Sequence, residues 1–397
     1  MNVLQVCYAY PPSYSGYGRQ LQTVNRAVRA MDGATAITIV TAFDGERTGE
    51  SGEKIRGLFP KHREKYRIDI VRFHLFCLHL LTQIFRFRAA DVVHVVRGGP
   101  EAMISVLLSR MLGKRVIVKV ARNEFETKGG VGLLSGIRRL VASRADVLVA
   151  LSETIRAELA AVGVPHHRIV AIPNAVDTAR FHVIEDDERE DLFQKHLGRP
   201  RLVSEKVLLF VGSITVRKGV SDLFAALEKA DIGCPLAIVL IGPDYREIGN
   251  FEDSVEYLSS IRQDLVVRYM GESRCPEEFM QFADSLVLPS YSEGMPNVVL
   301  EGLACGLHAI VSDLQVNQEV VVPELGTTFP VGNADALADR IADMTRLPVR
   351  SANERRGVSA RILEKYGTEA VAAQYMRLYR DLAAGRRDLG APAPAAR

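Results

Sequence analysis

The amino-acid sequence predicts an α/β protein built from two doubly wound, Rossmann-like domains that face each other across a cleft. Three observations carry this reading. Short runs rich in Val, Ile and Leu alternate with helical patterns along the chain, and nearly continuous apolar strands belong in parallel sheets covered on both faces. The alternation falls into two series, separated by a charged stretch over about residues 182–206. The length of 397 residues exceeds what one core usually serves and points to two domains of somewhat under ~200 residues each. The expected boundaries are 1–185 and 200–375, with the last helix returning to the first domain and a disordered tail over 383–397, rich in Ala, Pro, Gly and Arg.

The first series starts with a strand over residues 1–7, followed by a Pro/Gly/Ser loop and a helix through Leu21, Val24 and Val28. Further strands are predicted over 36–41, 91–96, 115–120 and 146–151. The second series has strands over 207–211, 236–241, 265–270, 285–288 and 309–312, with helices between them such as 220–230 and 277–283. Ligands of doubly wound sheets bind outside the carboxyl ends of the strands, which places the expected site in the cleft.

Composition removes several classes. With 47% hydrophobic and 25% charged residues, the chain is neither wholly disordered nor collagen-like. No apolar run approaches the roughly 18 residues of a membrane span, and the start reads as a buried strand rather than a signal peptide. Five scattered cysteines without a C-x-x-C pair argue against a disulfide framework or structural zinc and fit a reducing cytoplasm. The net charge of +2 hides an asymmetry: residues 1–200 hold 29 basic and 21 acidic residues, residues 201–397 hold 21 and 27. A basic domain joined to an acidic one suggests an anionic partner. Nucleic acid is a poor candidate, because no recognised binding module appears; lipid headgroups or a phosphorylated substrate fit better.

The richest segment is LPSYSEGMPNVVLEGLACGLHAIVSD, residues 288–313. A strand ends at Leu288, a loop holds Ser292, Glu293, Gly294, Met295 and Pro296, and a helix starts near Asn297. Glu301 follows Glu293 by eight positions, slightly over two helical turns, so both carboxylates can address one cleft. The helix N-terminus between them suits a phosphate or a sugar hydroxyl. In isolation the two glutamates would read as a solvated loop residue and an ion-paired helix residue. The second segment, VLLFVGSITVRKG over 207–219, is a buried strand, a turn at Gly212, and then Arg217, Lys218 and Gly219 opening a helix. Cations at such a turn can hold a leaving pyrophosphate.

These segments resemble the donor site of retaining glycosyltransferases of the GT-B fold, family 4. The family pattern S-x-x-E-G-x-P-x-x-x-x-E-x-x-A-x-G is met in register by Ser290, Glu293, Gly294, Pro296, Glu301, Ala304 and Gly306. The resemblance implies that Glu293 contacts hydroxyls of the transferred sugar and that Glu301 holds the ribose. The family's G-R-x-x-x-x-K-G, whose cations bind the donor diphosphate, is met by Gly212, Lys218 and Gly219. Ser213 stands where the arginine is usual, and Arg217 could reach the same phosphate from four positions on. Tyr10-Pro11-Pro12 with Gly16 and Gly18-Arg19 is similar to the family's N-terminal P-P-x-x-G-G-x-G-R loop, with Ser15 in place of the first glycine; the resemblance sets Gly16 beside the donor phosphate. Residues 145–153 and 172–177 match the close of the first domain, and Gly271 sits where the family's backbone edges the base.

The departures are specific. A histidine that many members carry after the strand at 116–120 is replaced by Ala121, and Lys119, Arg122 or Glu124 could take its part. Paired glycines after a later strand are Gln315 and Val316, so the sugar pocket differs in shape. His94 reads as structural rather than catalytic.

The stretch 68–88 carries Val71, Leu75, Leu78, Leu81 and Phe85 at helical spacing, flanked by Arg67, Arg72, Arg86 and Arg88. It reads either as a core-facing helix with a solvated basic face, or as a membrane contact in which Phe73, Phe76 or Phe87 dips into the interface.

The expected activity is therefore retaining transfer of a sugar from a nucleoside-diphosphate sugar to a hydroxyl acceptor, such as a lipid-linked or polysaccharide precursor. The catalytic candidates are Lys218, Arg217 and Glu293; the donor-binding candidates are Gly16, Gly212, Gly271, Gly294, Met295, Pro296, Asn297 and Glu301. No cofactor and no metal are expected, since no Asp-x-Asp pattern is apparent. The expected location is cytoplasmic, peripheral to the inner membrane face if the basic stretch binds anionic lipid. The rivals are a nucleotide-sugar 2-epimerase on the same fold and a non-catalytic nucleotide-sugar-binding protein.

Overall fold

The computed structural model describes residues 1–13, 16–59, 70–120, 133–249 and 251–386. They fall into two units, Met1–Ala175 with Thr368–Arg397, and Val176–Gly367. The expected disorder of the extreme tail concerns residues largely outside the described ones.

In the first unit the apolar runs become β1 (Asn2–Val6), β2 (Ala36–Thr41), β3 (Glu46–Thr48), β4 (Lys54–Gly57), β5 (Val92–Val95), β6 (Arg115–Val120), β7 (Val147–Ala150) and β8 (Ile169–Ala171). The sheet order is β3-β4-β2-β1-β5-β6-β7-β8, parallel except for the edge strand β3. The helices are α1 (Gly16–Met31), α2 (Ile70–Thr82), α3 (Ile84–Ala89), α4 (Pro100–Met111), α5 (Leu133–Arg144) and α6 (Glu153–Ala161). Every residue of β5 and β7 is buried, as strands covered on both faces require.

The second unit holds α7 (Asp186–Leu197), β9 (Lys206–Val211), α8 (Val220–Lys229), β10 (Leu236–Ile241), α9 (Phe251–Ile261), β11 (Leu265–Tyr269) and α10 (Pro276–Phe282). It continues with β12 (Ser285–Leu288), α11 (Asn297–Ala304), β13 (His308–Ser312), α12 (Gln315–Gln318), β14 (Gly326–Phe329), α13 (Ala334–Arg346) and α14 (Ala352–Tyr366). Its parallel sheet runs β11-β10-β9-β12-β13-β14, so the order reverses between β9 and β12. Such a reversal is where a doubly wound sheet opens a ligand crevice.

The final helix, α15 (Thr368–Ala383), belongs to the first unit. Its Val371, Tyr375 and Tyr379 share a core with Val24 and Val28 of α1. His94 of β5 is stacked on Tyr375, and its Nδ1 lies 2.7 Å from the Tyr379 hydroxyl. Burial, reinforced by the nearby Lys119 ammonium, pushes the imidazole pKa down to about 3. His94 thus stands in a structural position.

Three aspartates perform one task at the opening of three strands. Asp91, Asp146 and Asp284 each precede a strand, and their carboxylates accept the backbone N–H of Asn2 at 2.8 Å, Val116 at 2.9 Å and Val207 at 2.7 Å on the neighbouring strand. Asp284 also accepts from Arg189 at 2.5 Å and Arg201 at 3.2 Å.

Two expectations are corrected. The charged stretch 182–206 is not a bare separator: it holds α7, whose Phe193 is buried and whose Arg189 pairs with Asp284, so it is part of the second unit. The core-facing reading of Val71, Leu75, Leu78, Leu81 and Phe85 is overturned, because all five are exposed. The same helices bury Phe76, Leu80 and Phe87 on the other side, and Phe73 packs edge-on against Tyr8. Phe76 and Phe87 are therefore not offered to any surface, and Phe73 is half-buried against Tyr8.

The imidazole of His94 makes stability pH-dependent in a defined direction. Its folded pKa lies below the unfolded value, so the unfolded chain binds the extra proton and stability falls as pH drops below about 6.5 toward 3. At pH 5 this amounts to on the order of 1–2 kcal/mol. The difference in unfolding free energy between wild type and His94→Gln should therefore shrink between pH 7 and pH 5. Denaturant titrations at the two pH values check this, and a constant difference would show that His94 does not fold as the neutral ring.

Candidate functional site

The site assembles at the strand-order reversal of the second unit, from the turns that leave β9 and β12. After β9 the chain turns through Gly212 into a short 3-10 turn, Val216–Lys218, and Gly219 enters α8 with φ +70°. A Cβ on Gly219 would fall 1.9 Å from the carbonyl oxygen of Pro289, which follows β12. Glycine is needed there for both its backbone conformation and its lack of side chain. The two loops are then tied: Tyr291 N–H donates to Arg217 O at 2.9 Å, and the Arg217 guanidinium donates to Ser292 O at 2.9 Å.

That approach puts the Lys218 ammonium 2.5 Å from Glu293 Oε1, with Arg217 Nη1 at 3.7 Å from the same oxygen. Glu293 and Lys218 are about one-tenth exposed, at 10% and 13%, whereas Arg217 is 40% exposed. Three of the residues singled out in the sequence thus form one cluster, two cations sharing one carboxylate at the mouth of the sheet. Gly294 and Asn297 are half-buried beside it, Met295 and Pro296 are buried, and α11 begins at Asn297, where expected. The loop is held from beneath: Ser312 Oγ donates to Ser290 O at 2.6 Å, and the Asn317 amide donates to Ser312 O at 2.8 Å.

Glu301 lies one turn into α11, in the field of Arg180. Arg180 itself is held by a two-pronged pair to Glu277, at 3.0 and 2.6 Å. Gly271 follows β11 at φ +67° with open space where a Cβ would stand, and its carbonyl accepts the Gly242 N–H at 2.8 Å. Gly242 was not singled out in the sequence. It has φ +143°, and a Cβ there would lie 1.9 Å from Gly212 O, so it shapes the same turn. The sequence shows only a glycine directly after the apolar run of β10, a pattern shared by ordinary turns. Gln315 is exposed and Val316 buried at the start of α12.

In the first unit, Gly16 opens α1, and a Cβ there would meet nothing within 4 Å. Gly18 contrasts with it, since its Cβ would lie 2.4 Å from Ala9 O. Ser15, Ala121, Arg122 and Glu124 lie outside the described residues. Lys119, at the carboxyl end of β6, is buried and donates to Asn174 Oδ1 at 2.8 Å. Desolvation lowers its pKa to about 8.

The chain is similar to known proteins over most of its length. Residues 11–180 match the family described as Glycosyltransferase Family 4, and residues 194–361 match Glycosyl transferases group 1. The chain is 22% identical over 297 residues to N-acetyl-alpha-D-glucosaminyl L-malate synthase of Bacillus anthracis, covering 74% of this chain and 75% of that one. Its fold is similar to sucrose-phosphate synthase from Thermosynechococcus elongatus, with a TM-score of 0.79 at 18% identity over 97% of this chain and 99% of that one. It is likewise similar to Anabaena HepE in complex with UDP, with a TM-score of 0.76 at 13% identity over 96% and 100% of the two chains. Both family matches are to glycosyltransferases, and the 2-epimerase alternative is not favoured.

The glycines of the site separate strain from open space. Gly219→Ala should destabilise the second unit by on the order of 3 kcal/mol, combining a left-handed backbone with a clash on Pro289 O. Gly271→Ala, left-handed but unobstructed, should cost only about 1 kcal/mol. Equal losses in thermal or denaturant unfolding would contradict the close approach of the two loops.

Proposed function

The chain belongs to the GT-B glycosyltransferases of family 4, and from that premise we propose that it is a retaining enzyme. It moves a sugar from a nucleoside-diphosphate sugar to a hydroxyl acceptor, such as a lipid-linked or polysaccharide precursor. The observation that carries this reading is the cluster of Lys218, Arg217 and Glu293 at the strand-order reversal of the second sheet.

When the bond between the anomeric carbon and the diphosphate breaks, negative charge grows on the leaving oxygen. Preorganised cations at that position lower the barrier, because they need no reorganisation as charge develops. Lys218 is held there by Glu293, and Arg217 by Ser292 O. Glu293 orients the sugar hydroxyls and Glu301 holds the ribose, with the loop Gly294–Asn297 and the backbone at Gly212 and Gly271 lining the donor. Two fixed cations supply the charge that a divalent ion could otherwise bring, so turnover is proposed to be metal-independent and to survive chelation.

Glu293 and a donor phosphate would compete for the same ammonium. Glu293→Gln should therefore raise affinity for a free nucleoside diphosphate by about two- to tenfold, the scale of one partly screened charge pair, while lowering turnover. Glu301→Ala should weaken the same affinity by about 1–3 kcal/mol. Isothermal titration reads both, and an unchanged affinity in Glu301→Ala would remove that residue from the site.

Turnover tests the cations. Lys218→Ala should lower kcat by about 10²–10³, measured as slow donor hydrolysis or transfer, and Arg217→Ala should cost a similar amount if it stands in for the arginine absent at Ser213. A change under about twofold for Arg217→Ala, the scale of a surface residue, would confine the role to Lys218.

A further inference from the structure

Helix α2 is apolar on two opposite sides. One side, with Phe76, Cys77 and Leu80, is buried in the first unit. The other carries Val71, Leu75, Leu78 and Leu81, and α3 continues it with Ile84 and Phe85. These six are exposed, Val71 at 66%, Leu78 at 59% and Phe85 at 79%. Helix α4, which packs against both, also has exposed Leu107 and Met111. A helix apolar all round is normally buried, and a contiguous exposed apolar patch marks a surface that meets a partner.

The charge around the patch selects the partner. Arg72, Arg86 and Arg88 lie on the same two helices, and Arg86 also stands 3.6 Å from the Glu46 carboxylate. Between Val71 and Ala89 there is no acidic residue, and residues 51–150 as a whole hold 19 basic and 8 acidic ones. A second copy of the chain would bring the same arginines face to face, because a two-fold contact pairs each patch with itself. A protein partner would draw on aromatic anchors, whereas this face is mostly Leu, Ile and Val, of which Leu and Val are scarce among binding hot spots. Among the described residues no helix is long and apolar enough to cross a membrane, which leaves a face that lies on one.

We propose that the exposed side of α2 and α3 docks on an anionic membrane surface, with Leu78, Leu81 and Phe85 entering the boundary between headgroups and acyl chains and Arg72, Arg86 and Arg88 at the headgroup level. The inference does not depend on the donor chemistry, since binding to lipid is read without turnover.

The chain contains no tryptophan, so a single one introduced into the full-length protein reports its own surroundings. In Phe85→Trp, the emission should shift to the blue on adding vesicles of phosphatidylcholine mixed with an equal amount of phosphatidylglycerol. Phosphatidylcholine alone should give a much smaller shift. In Val203→Trp, an exposed position of the second unit, neither vesicle should change the emission. Co-sedimentation should fall as the Debye length shrinks from about 10 Å at 0.1 M to about 3 Å at 1 M salt. The combined change Leu78→Ser, Leu81→Ser and Phe85→Ser should lower vesicle affinity at least about tenfold. Each of Arg72→Gln and Arg88→Gln should lower it about fivefold, and Arg86→Gln, whose charge the Glu46 carboxylate partly offsets, by less. Unchanged far-ultraviolet circular dichroism and an unchanged thermal unfolding midpoint in these variants would verify that they fold. The proposal is overturned if wild type fails to bind the anionic vesicles at low salt, or if the serine variant binds as wild type does. Self-association in sedimentation, abolished by the serine variant, would also overturn it and make the face an interface between copies.

Discussion

The candidate site depends on one backbone contact, the approach of Gly219 to the carbonyl oxygen of Pro289 where β9 and β12 release their chains. A side chain at 219 would force the two loops apart, and the ion pair between Lys218 and Glu293 spans that very gap. Gly242 repeats the device one strand further out, pressed against Gly212 O. A cluster of two cations and a carboxylate thus owes its geometry less to its own attraction than to two glycines that let backbones meet. Charge pairs of this kind contribute modestly to stability by themselves; with the loops fixed, they become preorganised instead.

The opposite ends of the sheets are closed by carboxylates. Asp91, Asp146 and Asp284 each satisfy a backbone N–H on the adjacent strand that the parallel ladder leaves without a partner at its start. Asp284 does this while nearly buried between Arg189 and Arg201, which anchors α7 to the sheet. Removing one member of such a buried group leaves the others uncompensated, at a cost of about 3–5 kcal/mol. Stability is concentrated at the amino ends of the strands, and the carboxyl ends are left to loops that carry chemistry.

Those physical differences decide what was legible in the sequence. Strands buried on both faces show as apolar runs, so β1, β2, β5, β6, β7, β9, β10, β12 and β13 were readable, and the partly exposed edge strand β11 was readable from its Leu265, Val266 and Val267. The short, partly exposed β3, β4 and β14 carry no such run and were missed, and β8, apolar throughout, is only three residues long. The pairing of Lys218 with Glu293, 75 positions apart, could be expected from the motifs but not measured from them. Gly242 was overlooked because a glycine after a strand looks like any turn until its neighbour is known. In α2 and α3, periodicity detects a stripe but not which of two stripes faces inward. Leu78, Leu81 and Phe85 form one, and Phe76, Leu80 and Phe87 form the other. Only packing against Tyr8 and the sheet distinguishes them.

Net charge misleads about the donor site and informs about the outer face, and distance explains the difference. Residues 201–397 carry more acidic than basic residues, 27 against 21, yet their ligand turn presents Lys218 and Arg217. Charges on the far side of the unit lie beyond the roughly 8 Å Debye length at physiological ionic strength. A diphosphate at the turn would feel the two cations within a few ångströms, not the sum. An extended surface integrates charge instead. The basic residues of the first half are spread over helices and loops, none of them alone a site. In the proposed docking, together they would supply the field that brings the exposed face of α2 and α3 to an anionic layer, where the apolar side chains would hold it.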